Sequence, residues 1–479
     1  WKLLKPQNVR CVSLQSFHPH IRDLVGYLRL KQPGFAVRPE NIDILYRPSQ
    51  FYTRLLEMIR TAENKIFISS LYIGSEETEL LESLQKALES KPALHVYFQL
   101  DLNRCTRPGP SSTVLRLLPL LRAHPDRIHA SLFRPPSANS SIIPPRFREG
   151  WGTWHAKIYG ADDVVMISGA NLNRSYFTDR QDRYLHFRDK KLSDYCFRFL
   201  NLMSLASYRL ALPVEPLTPH SISHPDKSYA LVWPTAIPPP LLKAKVAPAL
   251  RSLQEAHTPS IDTITADDSH VLVFPMIQSG PLGFQEEKDF FRILYTSLKS
   301  SLPDTFPPND APLILDLTSG YFALPDDHQI MLLDISRALT CRIVVASPQA
   351  NGFFDSAGLS RLIPEAYTHL EKQFSSAITR FGRDLRVRLV EWAKGTWTYH
   401  AKGLWLTPRG VGSFPVLTFF GSSNMSMRSM RYDTELSFVM SNTMTLRRRL
   451  GAEVNGIRMD TSEWKGRSRR VSLLTKLLV

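Results

Sequence analysis

Two similar stretches of the chain decide its fold, Thr153-Trp154-His155-Ala156-Lys157 and Thr398-Tyr399-His400-Ala401-Lys402. Each is followed by a turn of small residues that ends in asparagine, Ser168-Gly169-Ala170-Asn171 in the first copy and Gly421-Ser422-Ser423-Asn424 in the second. On a β-strand, residues two positions apart point to the same face, so each copy would aim an imidazole and an ammonium group at one place. The repeat predicts two equivalent units that share one pocket.

Length and charge indicate a folded protein of about two domains with an anionic partner. The chain has 479 residues, more than a usual single core, and a net charge of +15. This charge favours nucleic acid, an anionic membrane surface or a phosphorylated substrate as the partner.

The four cysteines are far apart and form no CxxC pair, which argues against disulfides or a zinc site and favours a reducing compartment. The sequence has no apolar run of the roughly 18 to 20 residues that span a bilayer. Because it begins at Trp1, we expect that an N-terminal segment, the place of any targeting peptide, has been removed.

The spacing of apolar residues predicts the same order of elements in both halves of the chain. Before the first His-x-Lys motif we expect helices at 50–62, 76–90 and 113–123, and strands at 65–73, 94–100 and 128–133. Before the second motif we expect helices at 284–298, 329–339 and 359–381, and strands at 313–317, 342–346 and 386–391. This alternation predicts an α/β fold of duplicated domains, each a mixed sheet flanked by helices, with one active site at their interface.

Composition divides the chain into four parts. We expect an N-terminal domain at 1–212, which includes an extension at 1–47, and a proline-rich linker at 213–260. A C-terminal domain at 261–445 and a basic tail at 446–479 follow. The tail is interpreted as a solvated closing helix, and the alternative is a helix that lies on anionic lipid headgroups.

A pocket with two histidines and two lysines suits phosphoryl transfer. One neutral imidazole can attack phosphorus, and the other can protonate the leaving oxygen and later deprotonate an incoming hydroxyl. Lys157 and Lys402 would hold the non-bridging oxygens, and Asn171 and Asn424 would donate further hydrogen bonds. The lysines would supply the positive charge, so neither a metal nor another cofactor is expected.

Acidic residues after the motifs are candidates for orienting the imidazoles. Glu435 follows the second motif, and Asp182 stands in a similar place after the first. A single His-x-Lys motif would be weak evidence, since His155 alone could be a core histidine bonded to a carbonyl. Two copies in matching halves, each with its asparagine turn, argue against that alternative.

The paired motifs with their asparagine turns resemble those of the phospholipase D superfamily, over about residues 50–440. The resemblance implies duplicated phospholipase D-like domains and a phosphohistidine intermediate. It implies that His155 is the nucleophile, that His400 is the acid and base, and that Asp162 occupies the acidic position of the motif. The second copy departs from the pattern with Thr407 at that position, and the first turn has Ser168-Gly169 in place of the more usual Gly-Ser.

The segments 154–159, 169–184, 399–405 and 421–429 are similar to those of the mitochondrial phosphatidylglycerophosphate synthases of eukaryotes. That resemblance implies transfer of the phosphatidyl group of CDP-diacylglycerol to sn-glycerol 3-phosphate with release of CMP, in the pathway to cardiolipin. It also implies a peripheral place on the mitochondrial inner membrane. A homodimer is compatible with the sequence.

An acceptor that carries a phosphate needs cations beyond the two lysines, and arginine suits bidentate phosphate binding. The candidates follow the two asparagine turns: Arg174, Tyr176, Arg180, Arg183, Ser426, Arg428 and Arg431. The alternative is that these arginines form surface ion pairs. Tyr176 or Trp405 could stack on cytosine, although aromatic residues beside a strand are more often core.

Two other activities fit the same motifs. A phosphatidylserine synthase of the superfamily would use serine as acceptor, and a nuclease would need a long open groove with salt-dependent DNA binding. Apolar residues just before the first motif favour a lipid enzyme, namely Ile142, Ile143, Phe147 and Trp151. No nucleic-acid partner is therefore expected. A non-enzymatic membrane scaffold is disfavoured because both motifs are intact.

Overall fold

The computed structural model describes residues 17–109, 112–135, 152–213, 218–224, 228–258, 270–302, 312–335, 337–410, 413–441 and 443–478. Within these residues the chain forms two large mixed sheets flanked by helices, one for each half of the sequence. The predicted fold class is confirmed. The apolar residues 142, 143, 147 and 151 lie outside the described ranges.

The first half contains the following elements: α1 (Arg22–Lys31), β1 (Phe35–Val37), β2 (Ile42–Leu45), α2 (Pro48–Thr61), β3 (Lys65–Ser69), α3 (Thr78–Ser90), β4 (His95–Asp101), α4 (Leu102–Cys105), α5 (Thr113–Ala123), β5 (Ile128–Phe133), β6 (Ile158–Ala161), β7 (Val164–Ser168), α6 (Arg174–Thr178), β8 (Arg180–Gln181), β9 (Tyr184–Arg188), α7 (Lys190–Ser204), β10 (Tyr208–Ala211), β11 (Ile222–Ser223) and β12 (Ala230–Val232). Their periodicity explains them: α2, for example, buries Phe51, Leu55, Met58 and Ile59 on one face.

The second half repeats the series: α8 (Leu242–His257), β13 (Val271–Ser279), β14 (Phe284–Gln285), α9 (Glu286–Ser301), β15 (Leu313–Ser319), α10 (Asp326–Ile335), β16 (Thr340–Ala346), α11 (Ile363–Arg380), β17 (Val387–Trp392), β18 (Thr398–Tyr399), β19 (Lys402–Pro408), β20 (Leu417–Gly421), α12 (Met427–Arg431), β21 (Thr434–Ser441), α13 (Met444–Met459), β22 (Thr461–Glu463) and α14 (Leu473–Leu478). Most predicted helices and strands lie within a few residues of these bounds, and 128–133 matches β5.

Strand order shows the duplication directly. The first sheet runs β11-β12-β10-β5-β4-β3-β6-β7-β9-β2, and the second runs β1-β13-β21-β20-β19-β15-β16-β17-β22 with β14 beside β13. In each half three parallel strands (β5-β4-β3 and β17-β16-β15) are continued by antiparallel strands (β6-β7-β9 and β19-β20-β21). The antiparallel parts pack against each other, and Phe187 of β9 stacks on Phe420 of β20 with ring centroids 6.1 Å apart. One apolar core cluster therefore contains residues of both halves, and a second lies within the second half together with α1.

The segments predicted as extension, linker and tail are built into the sheets. β1 pairs with β13 of the second sheet, whereas β2 pairs with β9 of the first, so the N-terminal segment joins both halves. Within the predicted linker, β12 extends the first sheet beside β10, and α8 packs on α7 although it contains Pro248. The tail contributes α13 and adds β22 to the second sheet. Apolar burial thus continues through segments whose proline and charge content predicted a linker and a solvated tail. Among the described helices, none has the length and apolar character needed to cross a bilayer.

Candidate active site

Each His-x-Lys motif pairs with the opposite half of the molecule. Trp154 forms a parallel bridge with Thr434, and the His155 amide donates to the Thr434 carbonyl at 2.9 Å. In the other copy, β18 pairs with β8, and the His400 amide donates to the Gln181 carbonyl at 2.8 Å. The sequence predicted that each motif lies on a β-strand. Instead, both histidines precede the strands β6 and β19, because their backbone groups are bonded across the interface.

This pairing brings a carboxylate of each half to the histidine of the other. His155 Nδ1 lies 2.8 Å from Glu435 Oε1, and His400 Nδ1 lies 2.6 Å from Asp182 Oδ2. All four side chains are buried, with His155 the most exposed at 9%. Glu435 and Asp182 directly follow the residues whose carbonyls accept from the histidine amides, so the backbone pairing sets the side-chain pairing.

The two carboxylates differ in their second partner. The Ser422 hydroxyl donates to Glu435, which therefore has neutral and cationic donors around it. The corresponding position of the first turn is Gly169, where a Cβ would lie 2.6 Å from Asp182 Oδ1 and 2.8 Å from Lys402 Nζ. A side chain at this position would displace the Asp182 carboxylate or the Lys402 ammonium, so glycine leaves room for both. Because the first turn has Gly169 where the second has Ser422, Asp182 lacks the hydroxyl donor that Glu435 has at this position.

Electrostatics keep Glu435 ionised beside a neutral His155. Burial alone would raise the pKa of Glu435, but the hydrogen bond with His155, the Lys157 ammonium and the Ser422 hydroxyl hold it below its usual range. Burial lowers the pKa of His155, and Glu435 only partly opposes this effect. Since a carboxylate can only accept, the His155 Nδ1–H donates to Glu435, and the Nε2 lone pair is left free for attack.

The surroundings of His400 are more cationic. Lys402 Nζ lies 2.7 Å from His400 Nδ1, and Tyr176 Oη lies 3.4 Å from Nε2. Burial, followed by the charges of Lys402 and Arg180, holds the pKa of His400 well below its usual range. Burial raises the pKa of Asp182 to about 6. An arriving anion would offset this positive charge and allow His400 to take up a proton.

The two lysines lie behind the histidines. Lys157 Nζ donates to the His155 carbonyl at 2.6 Å, and Lys402 Nζ donates to the His400 carbonyl at 2.7 Å. Both side chains are 1% exposed, and burial lowers the pKa of Lys157 to about 7 and that of Lys402 to about 8. The sequence predicted that they hold phosphate oxygens. In this structure their ammonium groups hold the backbone of the histidines and are not part of the cavity lining.

Both histidines line one cavity of about 990 Å³ between the two halves. Asn171 and Asn424 stand beside them, and the side-chain oxygen of each is buried without a hydrogen-bond partner in the described part of the chain. The Asn171 amide donates to Tyr176 Oη at 3.1 Å. Unpaired polar atoms beside two histidines are a feature of a ligand site, since buried polar groups are otherwise satisfied.

Four of the predicted substrate-binding residues line this cavity: Tyr176, Arg180, Ser426 and Arg428. The Arg180 guanidinium lies 4.5 Å from the Tyr176 ring centroid, and its Nε donates to Thr398 Oγ1 at 2.8 Å. Arg428 Nε lies 3.4 Å from Asp433 Oδ2. The two post-turn segments thus each contribute one arginine to the cavity lining.

The structure does not bring Arg174, Arg183 or Arg431 to the cavity. Arg174 is exposed and lies 3.6 Å from Glu76, and Arg431 is also exposed. Arg183 is buried in the interface, where its Nε donates to Glu453 at 2.9 Å and its guanidinium lies 3.9 Å from the Trp405 ring centroid. Trp405 is therefore a core residue and has no free face for cytosine. Spacing after a turn identified these three arginines, but Arg174 on α6 and Arg431 on α12 face solvent, and Arg183 between β8 and β9 is held in the interface.

Asp162 also lies outside the site. Its carboxylate accepts from the backbone amides of Glu63, Asn64 and Lys65 at 2.7–3.0 Å. The residue has a φ of 47°, in the turn between β6 and β7. The carboxylate at the acidic position of the motif thus fixes the β6–β7 turn to the start of β3, and it does not orient the histidines.

Several cavity residues were not predicted from the sequence: Tyr72, Arg104, Tyr321, Phe353 and Tyr367. Tyr72 follows β3 and Tyr321 follows β15, at the carboxyl ends of the parallel strands where α/β proteins bind ligands. That topological rule would have found both tyrosines. The described residues contain no cluster of three or more His, Cys, Asp or Glu side chains able to hold a metal ion.

Named relatives cover nearly all of the chain, although no protein-family model matches it. A CDP-diacylglycerol–glycerol-3-phosphate 3-phosphatidyltransferase of Schizosaccharomyces pombe is 34% identical, and the similarity covers 90% of this chain and 91% of the relative. The Saccharomyces cerevisiae protein of the same name is 33% identical, with 89% and 83% covered. The human protein, whose name adds "mitochondrial", is 31% identical, with 94% and 84% covered.

A solved structure supports the architecture. The phosphatidylserine synthase of Haemophilus influenzae superposes with a TM-score of 0.67 over 95% of this chain and 96% of that chain. At 19% identity this likeness shows the fold alone. From the sequence relatives, the chain belongs to the family of the CDP-diacylglycerol–glycerol-3-phosphate 3-phosphatidyltransferases.

Proposed function

We propose that this chain transfers the phosphatidyl group of CDP-diacylglycerol to sn-glycerol 3-phosphate, through a phosphohistidine on His155. Family membership supports the overall reaction. The observation that carries the mechanism is the pair of histidines in one cavity, each bonded through Nδ1 to a carboxylate of the opposite half.

In the first step, His155 Nε2 attacks the phosphorus that carries the diacylglycerol. The N–P bond forms as the bond from phosphorus to the CMP oxygen breaks, and His400 gives a proton to that oxygen. Glu435 stabilises the positive charge that develops on the His155 ring, because its ionised carboxylate lies 2.8 Å from Nδ1. His155 suits the nucleophilic role because its partner Glu435 has a lowered pKa and stays ionised, whereas burial raises the pKa of Asp182, the partner of His400.

In the second step, neutral His400 accepts the proton of a glycerol 3-phosphate hydroxyl. The alkoxide oxygen attacks phosphorus, the N–P bond breaks, and phosphatidylglycerophosphate leaves. The Asn171 and Asn424 amides lie beside both histidines and would donate to the non-bridging oxygens. Lys157 and Lys402 would act by charge from behind the histidines, since their ammonium groups donate to the backbone.

The acceptor's own phosphate requires cations away from the reacting phosphorus. Arg180, Arg428 and Arg104 line the cavity and meet this requirement. Serine, the acceptor of the alternative phosphatidylserine synthase activity, carries no phosphate and would have less use for these arginines. The lining also contains apolar residues that suit acyl chains: Phe322, Leu324, Ile363, Ala366 and Leu370.

The reaction is tested by CMP release from CDP-diacylglycerol in detergent micelles with EDTA, with glycerol 3-phosphate, serine or no acceptor. We expect release with glycerol 3-phosphate and a phosphatidyl product that bears a second phosphate. Stimulation by serine alone would assign the phosphatidylserine synthase activity, and DNA cleavage without CMP release would assign a nuclease.

The intermediate is tested separately, by mixing enzyme with CDP-diacylglycerol labelled in the diacylglycerol-linked phosphate and no acceptor. We expect a burst of CMP equal to the enzyme concentration and an acid-labile, alkali-stable label on His155. H155A should show neither burst nor label, and H400A should lose turnover with either acceptor. A burst of normal size in H155A would contradict the assignment of the nucleophile.

We also propose a peripheral position on the mitochondrial inner membrane. The names of the human and mouse relatives include "mitochondrial", which supports the organelle. Alkaline carbonate treatment of mitochondria should release the protein, and retention in the pellet would contradict the peripheral state. Light scattering of the released protein measures whether it is a homodimer.

A further inference from the structure

Exposed apolar side chains lie beside the cavity opening. Phe354 and Leu359 stand between β16 and α11, and they are 45% and 58% exposed. Their neighbours Phe353 and Ser360 line the cavity. The same segment therefore contributes to the cavity on one side and presents apolar side chains to solvent on the other.

The C-terminal helix α14 extends this surface. Thr475 Oγ1 donates to Glu365 Oε2 at 2.7 Å, and Ser472 Oγ donates to the same oxygen at 3.2 Å. Because Glu365 lies in the first turn of α11, this contact holds α14 close to the turn that contains Leu359. Leu473 and Leu474 are 74% and 54% exposed on this helix. We call Phe354, Leu359, Leu473 and Leu474 the rim patch.

Basic side chains accompany the rim patch. Arg361, Arg470 and Lys476 are exposed, and none of them forms an ion pair with another described residue. Asp355 is the only acidic residue of segment 353–363. The surface thus combines apolar side chains with an excess of positive charge.

We propose that the rim patch docks on an anionic phospholipid bilayer and turns the cavity opening toward the lipid. This inference rests on the proposed function, in which a substrate with two acyl chains must pass from a bilayer into the cavity. The apolar lining residues Ile363 and Leu370 lie on α11, so the apolar surface continues from the rim patch into the cavity. A protein partner on this surface would cover the opening that the lipid must use.

The chemistry of the rim patch matches the two layers of a bilayer surface. Leucine and phenylalanine side chains bury themselves at the boundary between headgroups and acyl chains, and arginine and lysine bind the headgroup phosphates. Binding should therefore weaken when either the apolar or the basic set is removed, and only the basic contribution should depend on anionic lipid and on salt.

The test measures binding of the full chain to phosphatidylcholine vesicles with and without phosphatidylglycerol. The variant L359S/L473S/L474S should bind both kinds of vesicle at least about tenfold more weakly. R361Q/R470Q/K476Q should lose roughly fivefold per cation on anionic vesicles only. The control L30S/L205S/L385S removes exposed leucines from surfaces that do not border the cavity and should bind normally.

Activity separates this inference from the proposed function. The rim variant should release CMP at the wild-type rate from a soluble short-chain CDP-diacylglycerol and slowly from the same lipid in vesicles. If the wild type releases no CMP from either, the proposed function fails, while vesicle binding still decides the docking surface. Unchanged vesicle binding in both rim variants would overturn the proposal. The proposal would also be overturned if the protein is a dimer and L359S/L473S/L474S dissociates it without loss of vesicle binding. That result would assign the surface to contact with a second copy.

Discussion

Replacement of Glu435 by glutamine tests the reaction mechanism at its strongest electrostatic contact. Glutamine keeps the size of the side chain and one oxygen near His155 Nδ1, and it removes the charge. With charge centres about 4 Å apart and an effective dielectric constant of about 20, the carboxylate stabilises a positively charged His155 ring by about 4 kcal/mol. At about 1.4 kcal/mol per factor of ten, kcat should fall by about 10³.

The chain offers a matched control in Glu287, a second buried carboxyl near Glu435. Ser423 Oγ donates to it at 2.6 Å, and burial raises its pKa to about 8, so it is neutral at pH 7. E287Q should therefore keep kcat within a few-fold of the wild type. Single-turnover CMP release at pH 7, with thermal unfolding to verify the fold of both variants, measures the difference. Equal losses in E287Q and E435Q, or a loss of less than tenfold in E435Q, would refute the electrostatic role of Glu435.

The pH profile of E435Q gives an independent readout. His155 must be neutral to attack, and its pKa already lies below the ordinary value because burial outweighs Glu435. Removal of Glu435 takes away the group that raises this pKa, so the acid limb of kcat/KM should move to lower pH as kcat falls. A merely structural Glu435 would leave the acid limb in place.

Three further variants test the fold around the site. D162N should lower the free energy of unfolding by about 1–3 kcal/mol in urea titrations and leave kcat unchanged, because the Asp162 carboxylate binds only backbone amides; a tenfold loss of kcat in folded protein would return Asp162 to the site. R183L should cost about 3–5 kcal/mol, since it leaves the Glu453 carboxylate buried without its counter-charge, and R183L/E453L should recover part of that loss; a double variant no more stable than R183L would contradict the pairing. Burial raises the pKa of Glu371 to about 8, so the folded state holds a proton that the unfolded state loses, and stability falls as pH rises from about 4.5 to 8. E371Q removes this penalty, and its Tm advantage over the wild type should grow between pH 5 and pH 8; a constant difference would place the pKa elsewhere.

Local periodicity predicted the fold well because each half forms its elements from nearby residues. The strand at 128–133 and the helix at 113–123 match β5 and α5 for this reason. The two histidines and Glu435 followed from the repeat itself, and their catalytic roles stay predictions. Periodicity did not show that strands of the N-terminal segment pair with β13 and β9, because those partners lie far along the chain. In the proline-rich segment 213–260, β12 instead pairs with the nearby β10.

The site was less predictable where docking of the halves decides it. Nothing in the spacing of Asp182 indicates that it serves the histidine of the other half, because that contact depends on how two sheets pack. The same packing buries Arg183 and leaves Arg180 in the cavity, although both follow the same turn. Asp162 occupies the acidic position of the motif in the sequence, but its short side chain lies in a turn and binds the nearest backbone amides.

Because each histidine takes its carboxylate partner from the other half, the paired site exists only after both halves have packed together. A half that folds before the other has its histidine but lacks the carboxylate that accepts from the histidine Nδ1–H. Under the proposed mechanism, His155 and His400 therefore become competent for catalysis only once the two sheets are packed together.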